Sequence, residues 1–326
     1  MLLDNHNRPL NYMRLAVTDR CNLRCFYCMP EEGIKYLPQK ELLTFDEILR
    51  IVSLTARMGI SKIRLTGGEP FVRPDLMELI RAIVKVNGVH ELHITTNGIL
   101  TAPHIGELKD LGIKSVNLSL DTLNAERFKA ITRRDEFEKT WATLQQLLNS
   151  NIPVKINAVV MEHKNIDDIV PMIGLTKDQD VSIRFIEEMP FNGEGNHYPK
   201  LTWTHKKILD YIKERFEVVK LPDAPNATAA TYKVPGHKGT IGIIAAFSRT
   251  FCGTCNRIRV TAQGTLKTCL YDDGVLNLKE LIRSGEGDST IESLLMKAFG
   301  SREKNGFDAE KKRTKQVSES MSTIGG

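Results

Sequence analysis

The chain has 326 residues, 41% apolar and 26% charged, with 23 Gly and 13 Pro, a composition that excludes collagen-like, low-complexity and wholly disordered chains. Its 45 Lys and Arg against 40 Asp and Glu leave a formal charge of +5, which suits a locally basic pocket for an anion better than a broad nucleic-acid face. A membrane span would need a run of about 18 apolar residues, and none exists. Residues 1–20 hold His6, Arg8 and Asp19 where a secretory signal needs an apolar core, so a cytoplasmic protein is expected.

The first two thirds of the chain alternate strand and helix signals. Residues 12–18 (YMRLAVT) alternate as a strand and lead into Cys21, Cys25 and Cys28. Thr44 and Glu47 form a capping-box pattern at the head of a helix over 44–58, where Phe45, Ile48, Leu49, Val52 and Ala56 share one face and Gly59 stops it. A strand at 62–66 ends in Gly67-Gly68-Glu69-Pro70 and is followed by a helix near 74–86. A strand at 90–95 ends in Thr96-Asn97-Gly98, then come a helix near 103–111, a strand at 114–120, and helices near 124–131 and 136–150. A strand at 153–160, a helix near 165–175 and a strand at 181–187 complete the series.

Six such units imply a parallel sheet. Thr66, Thr95, Ser119, Asn157 and Glu187 gather at the C-terminal ends of the strands, the rim that carries the active site of a (β/α) barrel. Six units are two fewer than a full barrel. The expected fold class is therefore α/β, an incomplete TIM-like (β/α)6 barrel with an open side, and an open doubly wound sheet is the alternative.

After about residue 190 the pattern changes. A helix at 204–216 and short strands near 217–221, 229–234 and 240–247 precede Cys252 and Cys255. A strand near 257–262, Cys269, and helices near 277–284 and 289–299 follow. This divides the chain into a barrel over 1–190, an α+β appendage over 191–300 placed on the open side, and a polar, aperiodic, mobile tail over 301–326 that ends in Gly325-Gly326.

The six cysteines form two triplets near opposite ends of the chain, unlike the spread of a secreted disulfide framework. The spacings are C-x3-C-x2-C and C-x2-C-x13-C, and neither triplet has a histidine nearby to complete a four-ligand zinc site. Three thiolates suit an iron–sulfur cube with one iron left open to a substrate. Buried packing cysteines and a zinc site shared between the triplets are the competing readings.

Cys21-Asn22-Leu23-Arg24-Cys25-Phe26-Tyr27-Cys28, directly after a strand, resembles the cluster loop of the radical S-adenosylmethionine superfamily. The resemblance implies a 4Fe-4S cluster whose open iron chelates S-adenosylmethionine, and release of a 5′-deoxyadenosyl radical that abstracts hydrogen from a substrate. It further implies Tyr27, Gly68 (in the GGEP turn), Ser119 and Met189 as cofactor contacts. Phe251-Cys252-Gly253-Thr254-Cys255-Asn256-Arg257-Ile258-Arg259, with Cys269 and the terminal Gly325-Gly326, resembles the GTP 3′,8-cyclase family of molybdenum-cofactor biosynthesis over essentially the whole chain.

That family resemblance implies a second 4Fe-4S cluster on Cys252, Cys255 and Cys269, with GTP as substrate and the guanine base held by the open iron. The product would be (8S)-3′,8-cyclo-7,8-dihydroguanosine 5′-triphosphate, passed to a downstream cyclic pyranopterin monophosphate synthase, with a reductant or electron-donor protein as partner and a homodimer left open. Arg14, Arg64, Thr95, Lys155, Arg257, Ile258 and Arg259 are the candidate GTP contacts, the cations because guanidinium and ammonium groups match phosphate oxygens. Arg257 and Arg259, two apart on a strand, share one face. They and the thin terminal Gly325-Gly326 are the candidate catalytic residues. A radical S-adenosylmethionine peptide maturase and a zinc-stabilised nucleic-acid-binding protein are the alternatives. Aromatics at 6% make a base-stacking surface a poor fit.

Overall fold

Strict alternation is clearest on two strands, β5 (Val154–Val160) and β6 (Val181–Glu187), where every second side chain enters the apolar core. Val154, Ile156, Ala158 and Val160 pack outward against helices, while Lys155, Asn157 and Arg184 on the opposite face turn to the interior of the sheet. The structure is a computed structural model, and it describes residues 1–193, 201–314 and 319–325.

In chain order the elements are β1 (Tyr12–Ala16), α1 (Phe45–Arg57), β2 (Lys62–Thr66), α2 (Leu76–Ile83), β3 (Glu91–Thr96), α3 (Ile105–Asp110), β4 (Ser115–Ser119), α4 (Ala125–Thr132) and α5 (Phe137–Asn149). Then come β5, α6 (Ile169–Leu175), β6, α7 (His205–Lys213), β7 (Val219–Lys220), β8 (Ala229–Lys233) and β9 (Thr240–Ile244). The last are β10 (Arg257–Val260), β11 (Thr265–Lys267), β12 (Leu276–Asn277), α8 (Leu278–Arg283), α9 (Asp288–Phe299), α10 (Gly306–Lys311) and α11 (Met321–Ile324). The capping box of α1 is closed in both directions, Glu47 N–H to Thr44 Oγ1 at 3.3 Å and Thr44 N–H to the Glu47 carboxylate at 2.8 Å.

Among the described residues the sheet runs β12-β11-β10-β1-β2-β3-β4-β5-β6-β9-β8-β7. The six predicted barrel strands are all present, in sequential order and parallel. The C-terminal segment does more than cover the open side. Strand β10 adds parallel to β1 and β9 adds parallel to β6, so the parallel run is lengthened at opposite edges by two strands that lie close together in sequence. The antiparallel pairs β10–β11 and β9–β8 then cap those edges. One apolar core, from Leu10 to Phe299, lies between the sheet and its helices.

The stretch expected to be a mobile tail is folded where it is described. Asn305 accepts from Phe307 and Asp308 N–H to start α10, and Ser320 accepts from Ser322 N–H to start α11. Lys267 and Arg313 both pair with Glu319, and Met321 N–H donates to the Phe191 carbonyl at 2.9 Å. A polar sequence hides this because the anchors are ion pairs, caps and a few scattered apolar side chains, Ala309, Met321 and Ile324 packing with Phe191 and Tyr271, rather than an apolar stripe.

Candidate active site

The loop after β1 carries the first triplet, and its backbone is held from three sides. Arg24 N–H donates to Thr132 O and Phe26 N–H to Ile131 O at the end of α4. Gly68 N–H and Glu69 N–H, after β2, donate to Thr18 O and Arg20 O at 3.0 and 2.8 Å. Ser320 Oγ donates to Cys28 O at 2.7 Å. The GGEP turn explains its glycines differently from the sequence expectation of bare backbone for a ligand. A Cβ on Gly68 would stand 2.2 Å from Arg20 O, and one on Gly67, at φ +143°, 2.3 Å from Thr18 O. The glycines let the β2 turn pack directly on the cysteine loop.

Cys21, Cys25 and Cys28 line a cavity of about 190 Å³ at the C-terminal rim of the strands, with Tyr27, Gly68, Ser119 and Met189. Among the described residues the carboxylates there are Glu69, Asp121 and Glu187, and no Lys or Arg lines it. Each is held by donors. Glu69 accepts from Thr96 Oγ1 and from the N–H groups of Phe71 and Asn97. Asp121 accepts from Tyr27 Oη at 2.7 Å and Val159 N–H at 2.8 Å. Glu187 accepts from His205 and Ser248. Burial pushes Glu69 up to about 7 and Asp121 up to about 6 against those donors. Burial also raises all three thiols, Cys21 to about 12.

Cys252, Cys255 and Cys269 line a second cavity of about 430 Å³. Eight Arg and two Lys surround it, with Glu303 as the acid in the wall. Strand register builds this cluster. Arg259 on β10 lies beside Arg14 on β1, which lies beside Arg64 on β2, and Asn157 on β5 lies beside Arg184 on β6. Gly242 on β9 leaves the room that Arg184 fills, since a Cβ there would be 3.1 Å from Arg184 Cγ. None of Arg14, Arg64, Lys155, Arg184, Arg257 and Arg259 has a carboxylate partner among the described residues; Arg64 donates to Tyr12 Oη and Ile94 O, Arg257 to Asn226 O, and Arg259 to Gly325 O.

Burial and mutual repulsion lower Lys155 to about 8, Arg184 to about 10 and Arg259 to about 10, and take Arg14 well below the usual arginine range. Cys255 is the one thiol of the six that ends below its ordinary value, because Arg257 and Arg302 outweigh its burial. Burial takes Cys269 to about 12.

Asn157, Ile186 and Met189 line both cavities, so the two are neighbours across one shared wall. Thr66 Oγ1 and Thr95 Oγ1 in the first wall, Asn117 Oδ1 and the Nε atoms of Arg14 and Arg184 in the second, and Asn157 Oδ1 in both are buried without a hydrogen-bond partner among the described residues. Uncompensated buried polar atoms are costly, and so many at one place fit a polar ligand. No group of three or more His, Cys, Asp or Glu among the described residues converges as one metal ion requires. A cluster binds each thiolate through a different iron, so its ligands need not meet at a point.

Tyr27, Gly68, Ser119 and Met189 line the first cavity, Arg14, Arg64, Lys155, Arg257 and Arg259 line the second, and Ile258, Thr95 and Gly325 are placed otherwise. Ile258 faces away from the cations into the apolar core, because β10 alternation opposes it to Arg257 and Arg259. Thr95 lines the first cavity with the Cys21 triplet, and not the cation-lined one. Gly325 packs beside Ala16 and Thr66, and Gly326 lies outside the described residues. Sequence reasoning missed Arg184, Lys62, Asn117, Arg8, Arg249 and Arg302 in the second wall. A basic residue alternating with apolar neighbours, as in VSIRFIE, was the available signal for Arg184.

Comparison with known proteins defines the class first. Residues 15–176 match the Radical SAM superfamily and residues 181–307 match Molybdenum Cofactor Synthesis C. The chain is similar in fold to Streptococcus suis SuiB bound to S-adenosylmethionine, with a TM-score of 0.58 at 13% identity over 88% of this chain and 68% of that one. The GTP 3′,8-cyclase of Clostridium perfringens (strain 13 / Type A) is 40% identical over 314 residues, 95% of this chain and 96% of that protein. The Molybdenum cofactor biosynthesis protein moc-5 of Caenorhabditis elegans is 38% identical over 302 residues, and Molybdenum cofactor biosynthesis protein 1 of Bos taurus 38% over 305. The chain spans about half the length of these two, 50% and 48%. The chain belongs to the GTP 3′,8-cyclase family of radical S-adenosylmethionine proteins.

Proposed function

We propose that the chain is an S-adenosylmethionine-dependent GTP 3′,8-cyclase, acting in the first step of molybdenum-cofactor formation, with the cofactor in the first cavity and GTP in the second. The observation that supports it is charge segregation. S-adenosylmethionine brings a sulfonium and an ammonium, which suit walls of Glu69, Asp121 and Glu187. A nucleoside triphosphate brings several negative charges, which suit Arg14, Arg64, Lys155, Arg184, Arg257 and Arg259, cations with no carboxylate partner among the described residues.

The thiols fit two 4Fe-4S clusters. Six free cysteines stand as two triplets. Donors reach their sulfurs, Leu23 N–H at 3.4 Å and Asn97 Nδ2 at 3.8 Å from Cys21, and Arg257 and Arg302 at 3.8 Å from Cys255. Iron would take the place of the thiol protons, which burial holds on all of these cysteines except Cys255. When bound, the first cluster and S-adenosylmethionine supply reductive radical chemistry, and the protein supplies place and dryness.

Tyr27 is held toward Asp121, which fixes the loop between the first thiols, and Gly68, Ser119 and Met189 shape the remaining wall. Arg14, Arg64, Lys155, Arg184, Arg257 and Arg259 neutralise the triphosphate. The shared wall of Asn157, Ile186 and Met189 sets the nucleotide ribose against the cofactor, a proximity effect. Arg259 donates to the Gly325 carbonyl at 2.7 Å, which holds Gly325 at the rim. On this reading the reaction is a lyase-class ring closure that needs an external reductant, takes place in the cytoplasm, and yields a substrate for an enzyme that forms cyclic pyranopterin monophosphate.

The test is anaerobic turnover of reconstituted protein, carrying about eight irons per chain, with GTP, S-adenosylmethionine and a strong reductant. A cyclised nucleotide detected by mass spectrometry is the expected result. Cofactor cleavage with GTP returned intact would refute the assignment.

A further inference from the structure

Tyr12 stands among Arg14, Arg64 and Arg257, which have no carboxylate partner among the described residues, and beside Lys62, which is paired with Glu91 at 2.7 Å. On β1 its register partners are Arg257 on β10 and Lys62 on β2. Arg257 and Lys62 lie 5.9 and 5.5 Å from its ring centre. Arg64 Nε donates to the Tyr12 hydroxyl at 2.6 Å. A guanidinium has no acceptor, so the phenol cannot return that bond. Its own O–H has no acceptor among the described residues, and the side chain lines the cavity.

We propose that the Tyr12 hydroxyl donates to a phosphate oxygen of the bound nucleotide, so that Tyr12 is a direct substrate ligand and binding is coupled to the proton it carries. This rests on the reading that the cation cavity takes the triphosphate of GTP. The groups facing the phenol are Arg14 on its own strand, Lys62 and Arg64 on β2 and Arg257 on β10, with Lys155 on β5, Arg184 on β6 and Arg259 on β10 acting from farther off. Burial alone would raise the phenol, but Arg64 and Arg14, then Arg257, overcome it and hold the group down to about 7. Near neutral pH the phenolate thus supplies the negative charge that the cations lack. An incoming triphosphate supplies the same charge, and the phenol regains its proton to sit beside it as a donor. The sign follows: affinity is highest below the phenol's titration and falls above it, by up to about tenfold per pH unit for one linked proton.

The experiment measures GTP and inorganic triphosphate binding to the anaerobic holoprotein between pH 6 and 9, with wild type and Tyr12→Phe side by side. Iron content and visible absorbance confirm that both clusters are present. The γ-phosphate titrates in both proteins, so the difference between their profiles reports the phenol. We expect Tyr12→Phe to bind GTP roughly tenfold more weakly at pH 6, the scale of a hydrogen bond to a charged group, and to lose the excess slope of the wild type. Equal affinity with an equal slope overturns the inference, as does weaker binding with the slope retained, which marks a packing role only. A second variant with 3-fluorotyrosine at position 12 keeps the ring and makes the phenol more acidic. The midpoint must then move to lower pH, and an unmoved midpoint overturns the inference. Wild type that binds neither GTP nor triphosphate sinks the parent reading, whereas wild type that binds both while Tyr12→Phe matches it sinks only the role of Tyr12.

Discussion

The cavity around Cys21, Cys25 and Cys28 has three carboxylates and no Lys or Arg in its wall, while the one around Cys252, Cys255 and Cys269 has ten cations and one acid. Both are lined by three cysteines, and both border the same strands. The contrast teaches that the charge of each chamber is set by depth along one common strand face rather than by the thiols. Residues at the strand ends, such as Thr66 and Ser119, border the acidic chamber, and basic residues nearer the strand starts, such as Arg14, Arg64 and Lys155, border the cationic one.

The sharpest way to break the contrast is to remove one thiol from each side. Cys25→Ala should abolish S-adenosylmethionine cleavage, whereas Cys255→Ala should keep cleavage and stop GTP conversion. Product formation by Cys255→Ala would show that the second chamber does not hold the substrate. Next in size is Gly68→Ala. The added methyl meets Arg20 O at 2.2 Å, so the cysteine loop must move, at a cost of about 1–3 kcal/mol or more. Iron analysis should show selective loss from the first site, and an unchanged iron count would contradict the packing account of this turn.

A smaller, one-sided effect is expected from Arg184→Ala. GTP affinity should drop by about 1.5–3 kcal/mol, with S-adenosylmethionine binding unchanged by calorimetry. Equal losses for both ligands would mean that the chambers are not electrostatically separate. The smallest effect comes from Lys155. Burial, then Arg184 and Arg64, lower it to about 8, so it sheds its proton and one positive charge as pH rises past that point. In the Tyr12→Phe background, GTP affinity should fall a few-fold from pH 7 to pH 9, and replacing Lys155 by Met should flatten that fall. A fall that persists without Lys155 would place the titrating group elsewhere.

Much of the architecture is readable from local pattern. The KIRLT strand and the VSIRFIE strand have the bounds read from the sequence, and the Thr44–Glu47 box caps α1 as its spacing implies. The same pattern reading misjudged the segment after residue 301, where Glu319 pairs with the distant Lys267 as well as with the nearby Arg313 and so ties the chain down. It also put Ile258 among the substrate contacts, although strict alternation beside Arg257 and Arg259 turns that side chain to the core.

Covalent spacing and periodicity were enough to point to two cysteine triplets and a run of strand–helix units, because each is carried by residues close together in sequence. The pairing of β10 with β1 and of β9 with β6 needed the folded chain. So did the placing of Arg184 against Gly242 and the parting of acids from bases into two chambers. These depend on which strands become neighbours and in what register. Burial of a common core settles that, and no short stretch of sequence encodes it.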